Sequence, residues 1–121
     1  MKEPVTVGLS ASAHAHLTAL ERGGFFARMN DAYRFAIALG LSHDSLDTGE
    51  RNRKTIFNVG SLDPDRSIYE AVAALRTRTD EPVYRTAERY AEWGVEEMIR
   101  LRASGDIDFG TLLKDAESLA Q

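Results

Sequence analysis

The sequence predicts a mainly α protein in which one short strand and two helices are followed by a helical C-terminal extension. Residues 5–9 alternate larger apolar side chains with small ones, which is typical of a strand. Most segments after residue 10 carry apolar side chains three and four positions apart, which is typical of helices packed on a core. The chain has 121 residues, 43% of them hydrophobic and 28% charged, so it is long enough to bury a core.

The N-terminal strand has two different faces, with Val5, Val7 and Leu9 on one side and Thr6 and Gly8 on the other. A lone strand leaves backbone donors and acceptors unpaired. The other extended candidate, "TIFNV" at 55–59, is also compatible with a packed loop. We therefore expect the strand to pair with its counterpart in a second chain, so that Val5, Val7 and Leu9 form a dimer seam.

The first helix is predicted to begin after Ser10, a residue type that caps helix N-termini, and to extend to about Arg22. The second is predicted to begin after Asn30 and to end at Gly40 or in the stretch Ser42-His43-Asp44. Its apolar side chains lie on two faces, Ala32, Phe35, Ala36 and Leu39 on one and Tyr33 and Ile37 on the other. A helix that is apolar on two sides needs two neighbours, so we assign Tyr33 and Ile37 to the same dimer interface.

The remaining chain divides into a basic loop at 42–62 and an acidic helical extension at 63–121. Asp63-Pro64 and Asp80 with Pro82 predict the starts of a third and a fourth helix, since Asp caps helices and Pro fits their first turn. The fourth helix is expected to reach about Arg102, and residues 108–121 are expected to form a short last helix.

Residues 4–41 resemble the ribbon-helix-helix (MetJ/Arc/CopG-like) family of prokaryotic DNA-binding proteins. "VTVGLS" matches its strand and cap, "ASAHAHLTALERGG" its first helix and "MNDAYRFAIALGL" its second. A more remote similarity links the same region to DndE-type accessory proteins of DNA phosphorothioate modification. That similarity rests on Leu9, Ser10, Ala13, Leu17, Leu20, Gly24, Asn30 and Arg34.

The ribbon-helix-helix resemblance implies that paired strands enter the DNA major groove while the start of the second helix binds a phosphate. It implies groove contacts for Lys2 (or Pro4), Thr6 and Gly8, and a phosphate clamp at Met29, Asn30 and Asp31. Threonine and glycine are poor readers of base edges, and Asp31 would repel a phosphate. We therefore expect contacts mainly to the DNA backbone, from Arg28, Arg34, Arg51, Arg53 and Lys54.

The overall composition narrows the classes of function. The net charge of −4 argues against a strongly basic, nonspecific nucleic-acid binder, although the acidity is concentrated after residue 54. The chain has no cysteine, no apolar run of membrane-spanning length and no signal-peptide pattern, so we expect a cytoplasmic protein without membrane contacts.

Several motifs favour ordinary structural roles over chemistry. His14 and His16 would point apart on a helix and could not share one metal ion. His43, Asp44, Ser45 and Asp47 are too close in sequence to indicate a triad, which is recognised by geometry. Glu88, Glu92 and Glu96 are interpreted as solvated helix surface, and Trp93 as either core or interface. We expect no catalytic residue, metal or cofactor.

The sequence thus predicts a non-enzymatic homo-oligomer, dimer or tetramer, that binds duplex DNA as a transcription regulator or as an accessory of a DNA-modification, defence or mobile-element system. The alternative is an adaptor that dimerises through the ribbon and docks a protein partner on residues 63–121.

Overall fold

The computed structural model describes residues 2–49, 52–75 and 80–104. The elements run in the order β1 (Thr6–Ser10), α1 (Ala11–Arg22), α2 (Met29–Ser42), β2 (Arg53–Asn58), α3 (Val59–Leu62), α4 (Ser67–Leu75) and α5 (Val83–Ser104). The mainly helical fold class with its N-terminal strand–helix–helix unit is confirmed. The predicted last helix at 108–121 lies outside the described residues.

β1 pairs with a strand of its own chain, so the expectation that it has no such partner is wrong. β1 and β2 form a two-stranded antiparallel sheet in which Val7 lies opposite Phe57 and Ser10 opposite Arg53. Of the two readings of "TIFNV", the extended one is correct, and the strand starts two residues earlier. The basic loop predicted at 42–62 therefore contains a strand and a short helix. A bulge interrupts the register between Val7 and Gly8.

Four of the five residues assigned to a dimer seam are buried within the single chain. Val7, Leu9, Tyr33 and Ile37 are at most 2% exposed and belong to the core of the single chain, whereas Val5 is 72% exposed. They are covered by their own chain because β1 has β2 beside it and α2 has helices on two sides. The seam through these four side chains is therefore wrong, and self-association through another surface stays a prediction.

The two apolar faces of α2 are explained by α1 and α5, both of which pack on it. α2 and α5 approach closely at glycines. A Cβ atom at Gly94 would overlap the carbonyl oxygen of Ala36, and one at Gly40 would lie 2.7 Å from the carbonyl oxygen of Tyr90. Gly94, which weakens helix propensity, is thus required by the packing of these two helices.

Two helices are capped by carboxylates, one from nearby in the sequence and one from the N-terminal segment. Both oxygens of Asp63 accept backbone N–H groups of α4, from Ile68 and Tyr69 at 2.9 Å, although the helix begins four residues after Asp63. Glu3 accepts the N–H groups of Val83 and Tyr84 at 2.8 and 2.9 Å. Glu3 therefore attaches the N-terminal segment to the start of α5.

Candidate nucleic-acid interface

The outer face of the β1–β2 sheet forms the floor of an open polar cleft of about 410 Å³. Val7 and Leu9 are buried in the core, and Thr6, on the opposite face of β1, is partly exposed. The cleft is lined by Thr6, Gly8, Asn52, Arg53, Thr55, Arg85 and Glu88. One face of the sheet thus carries hydroxyl, amide and guanidinium groups side by side.

Glu88 joins the two arginines of the cleft to the sheet. Its Oε2 accepts the backbone N–H of Gly8 at 2.8 Å. Its Oε1 lies 2.8 Å from Nη1 of Arg85 and 3.6 Å from Nε of Arg53. The Glu88 side chain is 1% exposed, while those of Arg85 and Arg53 are 38% and 30% exposed. The cleft therefore contains two partly exposed guanidinium groups and one buried carboxylate that pairs with both.

The edge of β1 that faces away from β2 is closed by side chains. Glu92 accepts the backbone N–H of Ser10 at 2.9 Å and its hydroxyl at 2.6 Å. The hydroxyl of Tyr33 donates to the carbonyl oxygen of Gly8 at 3.0 Å. Burial, and after it the charge of Glu88, raises the pKa of Tyr33 well above its ordinary value. These contacts occupy the edge at which a second β1 would pair.

Arg89 holds the segment that leads into β2. Its Nε lies 3.1 and 3.2 Å from the two oxygens of Glu81, and its Nη1 donates to the carbonyl oxygens of Asp47 and Gly49 at 3.2 Å. The backbone N–H of Asp47 in turn donates to the carbonyl oxygen of Arg89. This buried arginine therefore stabilises the chain at residues 47–49.

The cleft brings together Thr6, Gly8 and Arg53, three of the residues predicted to contact DNA. Lys2 and Lys54 are exposed but do not line it, and Arg51 lies outside the described residues. Gly8 has no side chain, is buried, and has its N–H and carbonyl groups bonded to Glu88 and Tyr33, so it offers little to a ligand. The strand face that was predicted to enter the DNA groove therefore lies in a cleft between the sheet and α5.

The expected phosphate clamp at the start of α2 has internal partners. Arg28, rather than Asn30, occupies the N-cap position, and no side chain caps the helix there. Asp31 lies 3.6 Å from Nε of Arg28 and 3.4 Å from Nη1 of Arg34. Arg34 also donates to the carbonyl oxygen of Leu62 at 2.8 Å. Arg34 thus connects α3 to α2, and this structural role accounts for the residue without a phosphate contact.

The interpretation of Glu88 and Glu92 as solvated helix surface is wrong, because both are at most 6% exposed. They turn inward since the backbone N–H groups of β1 need acceptors. Glu96 is exposed as expected. Two features of the sequence together could have indicated this role. β1 has N–H donors along its edge that need acceptors, and Glu88 and Glu92 lie one helical turn apart on the same side of a helix.

Sequence reasoning also missed Asn52, Thr55 and Arg85 as parts of one surface. Arg85 is separated from Arg53 by more than thirty positions along the chain, and only the packing of α5 beside β1 brings them together. No pattern of neighbouring residues in the sequence predicts that Arg53 and Arg85 lie close together.

The motifs considered for chemistry have structural partners. The hydroxyl of Ser45 donates to the backbone carbonyl of His43, and the His43 ring packs on Trp93 with centroids 5.4 Å apart. His16 lies 3.6 Å from Glu96. Within the described ranges, no three His, Asp or Glu side chains form a group that could hold a metal ion.

Comparisons with known proteins identify no relative. No family model matches the chain, and no curated protein or solved structure matches it either. None of the helices in the described part of the chain combines the length and apolar character needed to cross a bilayer. Function must therefore be inferred from the geometry of the cleft.

Proposed function

We propose that this protein binds duplex DNA through the sugar–phosphate backbone, with the outer-face cleft as its contact surface. The observation that supports the proposal is the pair of partly exposed guanidinium groups, Arg53 and Arg85, held by one buried carboxylate beside two threonines. Guanidinium groups present fixed forks of N–H donors that match phosphate oxygens. Threonine hydroxyl and asparagine amide groups add neutral donors of the kind found at phosphates.

Backbone binding fits the cleft better than base reading does. Specific readout in the major groove requires long side chains that reach base edges. The arginines here are tethered to Glu88 at the level of the sheet, and Thr6 and Thr55 are short. A protein of this kind would act without catalysis, as a regulator or as an accessory of a DNA-modification, defence or mobile-element system.

The proposal is tested by the salt dependence of binding to a short fluorescein-labelled duplex, followed by fluorescence anisotropy. Replacing Arg53 and Arg85 together by alanine should weaken binding at least tenfold at about 50 mM salt and reduce the log–log salt slope by about 1–2. The matched control replaces Arg100 and Arg102, which removes the same charge far along α5, and should change affinity less than threefold. No binding by the wild-type protein at low salt would overturn the proposal.

A second candidate function is protein docking on the C-terminal helices, and the exposure of α4 favours it. Of the nine residues of α4, only Val72 is buried, and Leu75 is 60% exposed beside three exposed alanines. An exposed apolar helix face is a typical contact surface for a partner. Retention of a protein partner that high salt does not release, and that Leu75→Glu abolishes, would support docking over DNA binding.

Homo-oligomerisation remains part of the proposal. The closed outer edge of β1 requires that any dimer or tetramer form through another surface. Light scattering coupled to size exclusion distinguishes a mass of 13.4 kDa from its multiples.

A further inference from the structure

The cleft contains an anion of its own. Glu88 places one carboxylate oxygen between the two guanidinium groups, 2.8 Å from Arg85 and 3.6 Å from Arg53, while its other oxygen is anchored on the Gly8 N–H. Because this side chain is 1% exposed and fixed at both oxygens, an incoming ligand does not replace it. Glu88 is therefore a permanent part of the electrostatics of the site.

The charges that line the cleft sum to one positive charge. Arg53 and Arg85 contribute two, Glu88 removes one, and the remaining lining residues are neutral. Each guanidinium has five N–H donors, and Glu88 engages one nitrogen of each. The site thus retains several donors for a ligand but only a single uncompensated positive charge.

We infer that Glu88 is a specificity-determining residue that adapts the cleft to the singly charged phosphodiester and against the doubly charged phosphate monoester. This inference rests on the proposed function and names its ligand class more closely. Attraction to the cleft grows in proportion to the charge of the ligand, whereas the cost of removing water grows with the square of that charge. One net positive charge is therefore better matched to a monoanion than to a dianion.

The carboxylate also acts on the ligand directly. A phosphate that accepts from Arg53 and Arg85 lies one guanidinium away from Glu88, at roughly 6 Å. At that distance repulsion by one charge is worth about threefold in affinity in water and more where water is excluded. A dianion experiences this repulsion twice. The internal phosphates of a nucleic acid strand carry one negative charge each and therefore experience the weaker repulsion.

The test uses two small probes with the full-length protein. Thymidylyl-thymidine carries one phosphodiester, and thymidine monophosphate carries close to two charges near pH 7, since its second pKa is about 6. NMR titration follows the Nε–H signals of Arg53 and Arg85 and the amides of Thr6 and Thr55 at constant ionic strength. We expect the wild-type protein to bind the diester at least as tightly as the monoester.

The matched variant is Glu88→Gln, whose side chain keeps an acceptor for the Gly8 N–H. It should strengthen monoester binding about threefold more than diester binding. A monoester preference in the wild-type protein, or an unchanged ratio in a folded Glu88→Gln variant, would overturn the inference. The wild-type comparison decides the question even where the variant does not fold.

The same experiment separates this inference from the proposed function. If the cleft signals respond neither to the small probes nor to duplex DNA, the proposed function fails. If they respond to duplex DNA but the monoester binds more tightly than the diester, only the role of Glu88 is refuted.

Discussion

Ser10 and Glu92 are joined by two hydrogen bonds, one from the backbone N–H at 2.9 Å and one from the hydroxyl at 2.6 Å. The same hydroxyl oxygen accepts the N–H of Ala13 and so caps α1. One serine therefore ends β1, begins α1 and attaches both to α5. Its partner lies 82 positions away in the sequence, so this contact fixes α5 against the sheet.

Glu92→Gln should lower the free energy of unfolding by about 1.5–3 kcal/mol, because a hydrogen bond to a buried charged group is worth that much and an amide cannot accept both donors equally well. Urea denaturation measures the change. Glu96→Gln, one turn later on an exposed position, should change stability by less than about 0.5 kcal/mol. Equal effects of the two substitutions would show that the hydrogen bonds between Glu92 and Ser10 do not contribute to the free energy of unfolding.

Gly94→Ala should destabilise the protein by about 1–3 kcal/mol, since the added methyl group overlaps the carbonyl oxygen of Ala36. Helix propensity alone predicts the opposite sign, a gain of about 1 kcal/mol. The sign of the change in thermal stability therefore reports directly on the close packing of α2 and α5. A stabilised variant would mean that the two helices are further apart than described.

Arg89→Met should cost about 3 kcal/mol, because it removes the buried cation that pairs with Glu81 and the donor to the carbonyl groups of Asp47 and Gly49. The pair between Arg100, whose side chain is 67% exposed, and Glu97 provides the control, and Arg100→Met should cost less than about 1 kcal/mol. Hydrogen exchange should also accelerate at residues 47–49. Unchanged exchange there would refute the role of Arg89 in holding the loop.

Stability should fall at alkaline pH because of Tyr33. Its pKa is raised in the folded state, first by burial and then by Glu88, while an unfolded tyrosine titrates near about pH 10. The folded state thus favours the protonated phenol. This contribution is complete below about pH 10 and is lost as the pH rises from there towards the folded-state pKa.

Tyrosinate absorbance and circular dichroism measured together check this prediction. Tyr33→Phe should flatten the alkaline decline in stability, although it removes the hydrogen bond to Gly8. Ionisation of Tyr33 near pH 10 in a chain that remains fully folded would show that its pKa is not raised.

Local patterns predicted much of the fold. The start of α1 follows from its Ser10 cap, and the end of α1 at Arg22 and the approximate positions of α2 and α5 follow from helical spacing, which depends on near neighbours. The partner of β1 was not predictable in this way. β2 is short, basic and mostly exposed, so it lacks the apolar alternation that marks a strand.

The candidate site was only partly predictable for the same reason. Arg53 was identified from the basic cluster that contains it. Arg85 and Glu88 belong to a helix whose charges are ordinary for an exposed surface. Their roles appear only when α5 packs beside β1 and supplies acceptors to its edge. Long-range packing, rather than local propensity, creates the cleft.

The most direct measurement of the central claim is an amide NMR map of the protein titrated with duplex DNA at low and at high salt. If DNA binds in the cleft, the largest shifts occur at Thr6, Asn52, Thr55 and Arg85, and high salt removes them. Shifts concentrated on α4, or no shifts at low salt, would contradict this claim.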